Sequence, residues 1–324
     1  MSAIDFKFLN KYVLDDDVTD INYNGKTLWI DHLQLGRYRI DEDVDDEVIE
    51  TLCFQIANYV NLPFNNIYPI LEAQTDTLRL SILHPSIAKN GYSISIRKTL
   101  PVVRLNEEMM VKSNYCNDDA IDIFKMIIKK KLNILICGLP GSGKTELVKF
   151  LGGYILSNDR VISIEDTLEL RYNDIYYHKD NVSLQVNNFM DYSLAIKTSL
   201  RQRPNWLLVS EVRSKEVLYL MQAISTGASM ISTIHCGSSF QIPQRLLNMF
   251  GNIENTNENL LNMIYENIDI VIHIVSKITK QGIIRYIDEI VVFNLSNDGK
   301  RSCELIYDTK GIVENNFYWK LMNG

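Results

Sequence analysis

Residues 132–145 read LNILICGLPGSGKT. The first part, Leu132 to Cys137, is a short apolar run of the length expected for a buried parallel strand. The second part, Gly138, Leu139, Pro140, Gly141, Ser142, Gly143, Lys144 and Thr145, fits the pattern G-x-x-x-x-G-K-[ST], and Glu146 to Leu156 then reads as a helix. Strand, glycine loop and helix form the context this motif requires. Glycines at 138, 141 and 143 let the backbone wrap closely around a polyphosphate with its N–H groups pointing inward. Lys144 is placed to reach the β- and γ-phosphates, and the Thr145 hydroxyl to hold Mg²⁺. A chance match in a chain this long has odds on the order of one per cent, and the correct flanking elements lower them further. The stretch is a nucleotide-binding loop.

At 324 residues the chain is long for one domain, so two are expected. With 46% hydrophobic and 23% charged residues the composition is globular and supplies ample core. The 33 Lys and Arg residues against 40 Asp and Glu leave a net charge of −7, which argues against stable nucleic-acid binding. MSAIDFKFLN at the start has no basic n-region or long apolar segment and is not read as a signal peptide. No apolar run reaches the roughly 18 residues of a membrane span, so membrane association is expected to be peripheral or through a partner. Cys53, Cys116, Cys137, Cys236 and Cys303 are scattered and form no C-x-x-C pair, which fits reduced thiols in the cytoplasm.

Residues 1–104 read as a separate α+β domain. Asp20–Tyr23 and Thr27–Asp31 flank Asn24-Gly25, a strong hairpin signal. In Asp41–Asn61, Val48, Leu52, Ile56 and Tyr59 recur at helical spacing behind an acidic first turn. Thr77–Leu83 and Tyr92–Lys98 are strand-like. Residues 105–117 are polar and read as an irregular linker, and residues 118–324 as the second domain. Its first helix, Asp118–Lys131, ends in Lys129, Lys130 and Lys131; a contact with an anionic membrane and complementation of the helix C-terminus are both open to that triplet. From Leu132 onward strands and helices alternate, the mark of a parallel α/β sheet, with further strands at Val161–Glu165, Trp206–Ser210 and Met230–Ile234. Residues 242–324 read as helices followed by strands at Asp269–Val275, Ile283–Asn294 and Arg301–Tyr307.

In an open parallel sheet ligands bind beyond the carboxyl ends of the strands. There the chain places the phosphate loop after Cys137, Glu165-Asp166 after Ile164, Glu211-Val-Arg213 after Ser210 and His235 after Ile234. An anion cradle, carboxylates, an arginine and a histidine on one sheet edge suit phosphoryl transfer to water, with one carboxylate serving the Mg²⁺ shell and another the attacking water.

With those residues in place, the chain resembles the type II/type IV secretion traffic ATPases, and most closely their compact branch of conjugative type IV secretion and Flp/Tad pili. The resemblance runs from about Asp20 to Ile290. GLPGSGKT at 138–145 matches the Walker A loop, and ISIEDTLEL at 162–170 resembles the Asp box, implying Glu165 as catalytic carboxylate with Glu169 as a secondary candidate. SLRQRPNWLLVSEVR at 199–213 resembles the Walker B stretch, implying that Glu211 acts on Mg²⁺-bound water, and QAISTGASMISTIHCGSS at 222–239 is similar to the His box, placing His235 near the γ-phosphate. Leu78-Arg79-Leu80 and Ser95-Ile96-Arg97-Lys98 resemble segments whose arginines reach the nucleotide, implying roles for Arg79 and Arg97. Three positions depart from the family: Ser210 where Gly precedes the Walker B Glu, Asn205 for Asp, and Ala228 for His.

The resemblance implies a RecA-like P-loop NTPase domain with a parallel-rich sheet, preceded by the smaller α+β domain. It also implies ATP and Mg²⁺ as ligands, a homohexamer, inner-membrane secretion or pilus components as partners, and a place at the cytoplasmic face of the membrane. The expected function is ATP hydrolysis that powers such a machine, either secretion or pilus extension and retraction. A nucleotide-bound scaffold without turnover is the alternative, suggested by Ser210 and Ala228.

Overall fold

The computed structural model describes residues 4–41, 44–251, 256–279, 282–316 and 318–319. The chain divides into two compact units, residues 1–100 with 278–284, and residues 101–277 with 285–324.

Six strands form the sheet of the first unit: β1 (Val18–Tyr23), β2 (Leu28–His32), β3 (Gly36–Ile40), β4 (Ile70–Gln74), β5 (Leu78–Leu83) and β6 (Ser93–Lys98). Their order is β3-β2-β1-β6-β5-β4, antiparallel throughout. At the predicted hairpin the Asn24 side chain accepts the N–H groups of Lys26 (3.1 Å) and Thr27 (2.9 Å), closing the turn between β1 and β2. Period-two alternation buries Leu78, Leu80 and Ile82 on β5 and Ile94 and Ile96 on β6. Against them lies the Asp46–Val60 helix through Ile49, Leu52, Cys53 and Ile56. That helix begins later than the periodicity predicts, because Asp45 caps it by accepting the Glu47 N–H; positions 42–43 lie outside the described residues. β3 and β4 are five residues each, too short for the alternation of Arg37–Ile40 or the mixed Ile70–Gln74 to mark a strand in the sequence.

The stretch 105–117 is not irregular. It carries the helix Glu107–Lys112, capped by the Asn106 side chain, and Met110 is fully buried in the core of the second unit. Six residues are too few for periodicity to reveal a helix.

The second sheet holds β7 (Ile134–Cys137), β8 (Val161–Glu165), β9 (Asn181–Gln185), β10 (Trp206–Val209), β11 (Ser229–Ile234), β12 (Ile270–Thr279), β13 (Gly282–Leu295), β14 (Arg301–Asp308) and β15 (Gly311–Ile312). The nine strands run β15-β14-β13-β12-β7-β11-β10-β8-β9. From β12 to β9 every neighbour is parallel, while β13-β14-β15 form an antiparallel extension. β7, β8, β10 and β11 are buried at every position, which is why they read as unbroken apolar runs. Successive residues still face opposite sides. Ile134 and Ile136 join a core with the Asp118–Lys129 and Lys144–Tyr154 helices, whereas Leu135 and Cys137 join one with the Tyr192–Leu200, Glu216–Ile224 and Ile242–Met249 helices. Each such buried aliphatic side chain stabilises the fold by about 1.5–3 kcal/mol.

Lys131 pairs with Asp159 at 2.7 Å, so part of the lysine triplet has an internal role. Cys53, Cys116, Cys137 and Cys236 are buried and Cys303 half-buried, all as free thiols. Among the described residues no helix is long and apolar enough to cross a membrane.

Candidate functional site

The phosphate loop leaves the buried end of β7 and enters the Lys144–Tyr154 helix at Gly143. Gly143 has φ +92°, a left-handed conformation that a side chain strains against. At Gly138 the constraint is space: an added Cβ would stand 2.5 Å from the Ile274 carbonyl oxygen and 2.6 Å from Ser142 Oγ. Ser142 Oγ is itself fully buried with no hydrogen-bond partner. Leu139, Pro140 and Gly141 form the exposed crown, and half-buried Thr145 and Glu146 occupy the first turn, where the helix dipole favours an anion. A tight glycine cradle, an orphaned hydroxyl and a helix N-terminus together fit a polyphosphate.

Lys144 is buried and folded back into this loop. Its Nζ donates to the carbonyls of Gly138 (3.0 Å) and Leu139 (3.2 Å) and lies 3.1 Å from His235 Nδ1. Burial holds its pKa below the usual lysine value, against the opposing charges of Glu211 and Glu169. An ammonium has only donors, so Nδ1 of His235 accepts and the ring proton sits on Nε2. Nε2 faces Glu211 Oε1 at 3.2 Å. The other carboxylate oxygen of Glu211 takes a fork from Arg213, Nε and Nη2 both at 2.9 Å, and Arg213 Nη1 reaches Asp166 Oδ2 at 2.6 Å. Burial works against the Arg213 charge, but Glu211 and Asp166 outweigh it and raise its pKa. Burial likewise opposes the Asp166 charge, and Arg213 overrides it, holding that carboxyl below the ordinary range. One polar chain, Lys144–His235–Glu211–Arg213–Asp166, thus links the ends of β7, β11, β10 and β8.

Glu165 does not join it. Its side chain is fully buried and turns back to accept the N–H groups of Leu170 (2.7 Å) and Arg171 (3.3 Å). Burial raises its pKa to about 7, against those backbone donors. Glu165, the residue that the family resemblance implies as catalytic carboxylate, thus braces the loop 166–171 in this structure, while the charge of Glu169, the secondary candidate, acts on Lys144. Nothing in the spacing of ISIEDTLEL distinguishes two glutamates four residues apart.

The departing residues have local partners. Ser210 Oγ bonds Tyr192 Oη at 2.7 Å, and Tyr192 Oη accepts the Asp166 N–H at 3.2 Å, so the serine ties the ends of β10 and β8 together. Asn205 Oδ1 accepts the Arg160 N–H at 2.8 Å, and Ala228 is buried in the core.

In the first unit Arg79 and Arg97 are cross-strand partners on the exposed face of β5 and β6. Arg97 Nε donates to Asp20 Oδ1 at 2.9 Å. A contributor missing from the sequence reading is Arg285 on β13, in the second unit, whose Nε donates to the Gly141 carbonyl at 3.0 Å. It lies in a strand without motif, so no local signal marks it.

Residues 65–315 match the family model described as "Type II/IV secretion system protein". An uncharacterised protein of Bacillus anthracis is 28% identical over 235 residues, 72% of this chain and 53% of that protein. The type IV secretion system protein VirB11 of Bartonella quintana is 33% identical over 138 residues, 41% of this chain and 38% of that one. The chain thus spans about half the length of the first of these relatives and less of the second. Among solved structures, the Legionella pneumophila ATPase DotB superposes with a TM-score of 0.64 at 18% identity, covering 85% of this chain and 77% of that one, a likeness of fold.

Proposed function

The chain belongs to the type II/IV secretion system protein family, and from that premise we propose that it binds ATP on the phosphate loop and hydrolyses it, as a ring of six copies, to drive a secretion or pilus machine at the cytoplasmic face of a membrane. The observation that carries this reading is the chain from Lys144 through His235, Glu211 and Arg213 to Asp166 at the sheet edge. Backbone N–H groups of residues 138–145 take the phosphates, and Lys144 exchanges its two carbonyl partners for β- and γ-phosphate oxygens, which bind an ammonium more strongly. That exchange frees His235 Nδ1, so the histidine reports occupancy to Glu211 through its Nε2 proton. Thr145 and Glu211 would hold Mg²⁺, which when bound neutralises developing phosphate charge. Glu169 orients the attacking water, and Arg79 and Arg97 supply further cations to the nucleotide.

ATP turnover and particle mass of the purified chain test this together, with Lys144→Ala and Glu211→Gln as controls. Turnover lost in both variants, from a particle of about six chains as the family resemblance implies, supports the motor. Tight ATP binding in a ring with turnover no higher than in Lys144→Ala would replace it with the scaffold. A monomer that neither binds nor hydrolyses ATP would overturn both.

A further inference from the structure

Resting on the nucleotide-binding reading above, we propose that Arg285 is a nucleotide-contacting residue, supplied by β13 of the same chain, that grips the α-phosphate side of the bound nucleoside polyphosphate. The guanidinium is half-buried beside the phosphate loop: Nε donates to the Gly141 carbonyl at 3.0 Å, and Cδ stands 3.4 Å from where a Cβ on Gly143 would be. Among the described residues that one carbonyl is its only hydrogen-bond partner, and no carboxylate pairs with it. The carboxylate whose charge acts on it, Glu146, is already engaged, taking the Lys149 ammonium at 2.9 Å and the Arg104 N–H at 3.4 Å. Tyr115, the other group that favours its charge, has a hydroxyl that is buried and without a hydrogen-bond partner among the described residues.

A half-buried cation lacking a counter-ion is costly unless an anion arrives to match it. Burial accordingly disfavours the charge on Arg285, and the cation of Arg104 adds to that. Its place also assigns the phosphate. Lys144 gathers the β- and γ-phosphates from the Gly138–Leu139 end of the loop, toward His235. Arg285 sits at the other end, beside Gly141, Gly143 and the Glu146 turn, where the helix N-terminus receives the α-phosphate. Both terminal nitrogens of its fork remain to donate, the geometry that suits two oxygens of one phosphate.

The test is binding of ADP and of ATP to the full chain carrying Arg285→Gln or Arg285→Lys, measured by calorimetry alongside thermal unfolding with and without nucleotide. Glutamine retains an N–H for the Gly141 carbonyl and removes the charge. A charge-assisted contact predicts a loss of about tenfold or more in affinity for both nucleotides, by a similar factor, with lysine recovering part of it. The unliganded unfolding midpoint should stay near wild type while the shift induced by nucleotide shrinks. Affinities within about twofold of wild type would overturn the assignment. So would a loss confined to ATP, which would move the contact to the γ-phosphate, or a lowered unliganded midpoint in both variants, which would make Arg285 a brace. A wild-type chain that binds neither nucleotide would instead sink the reading on which this one rests.

Discussion

Glu165→Gln separates a carboxylate that braces a loop from one that serves the reaction. In the folded chain the Glu165 pKa is raised from 4.5 to about 7, chiefly because the group is buried. The folded state therefore holds its proton more tightly than the unfolded chain does. That contribution to stability is complete below about pH 4.5 and is lost as pH rises through about 7. The full shift corresponds to about 3 kcal/mol, and the part falling between about pH 6 and pH 8 to about 1 kcal/mol. Glutamine still accepts the Leu170 N–H but carries no titrating proton. Urea unfolding of both proteins at the two pH values should show wild type losing about 1 kcal/mol more than the variant on going to the higher pH. The same pair with Glu169→Gln should show turnover falling further for Glu169 than for Glu165. Parallel pH dependence in wild type and Glu165→Gln would refute the buried-carboxyl argument, and a larger turnover loss at Glu165 would restore it as the reactive group.

Four further outcomes follow from the same geometry. Gly138→Ala forces a methyl to within 2.5 Å of the Ile274 carbonyl, so it should destabilise the chain by about 1–3 kcal/mol in urea unfolding and weaken nucleotide binding with it. Tyr192→Phe removes the hydroxyl shared by Ser210 and the Asp166 N–H, and should cost about 1 kcal/mol in the same assay. Asp20→Asn should leave stability within about 0.5 kcal/mol, because its partner Arg97 is 54% exposed and such pairs contribute little; Arg97→Ala should lower ATP turnover by about tenfold if that arginine is exchanged from Asp20 to phosphate.

What could be read from the sequence follows from where each signal is stored. β7, β8, β10 and β11 are buried on both faces, so their apolar runs carry the fold in one dimension, and the polar residues just past each run fall at one edge by topology alone. Lys144, Glu211, Arg213 and His235 were legible for that reason. β3, β4 and β9 are half-exposed and only five residues long, so the alternation in Arg37–Ile40 and Asn181–Gln185 is too brief to stand out from the polar segments around it. Direction within a loop is less legible still. Glu165 turns inward because the chain after β8 folds back and aims the Leu170 and Arg171 N–H groups at its carboxylate, a choice made by backbone geometry. Arg285 was invisible for a third reason: its meaning arises only when β13 joins the sheet beyond β12 and brings a motif-free strand beside Gly141, 144 residues earlier in the chain. Short-range spacing can announce a phosphate loop, but the cations that gather around it from distant strands become legible only through the order of the sheet.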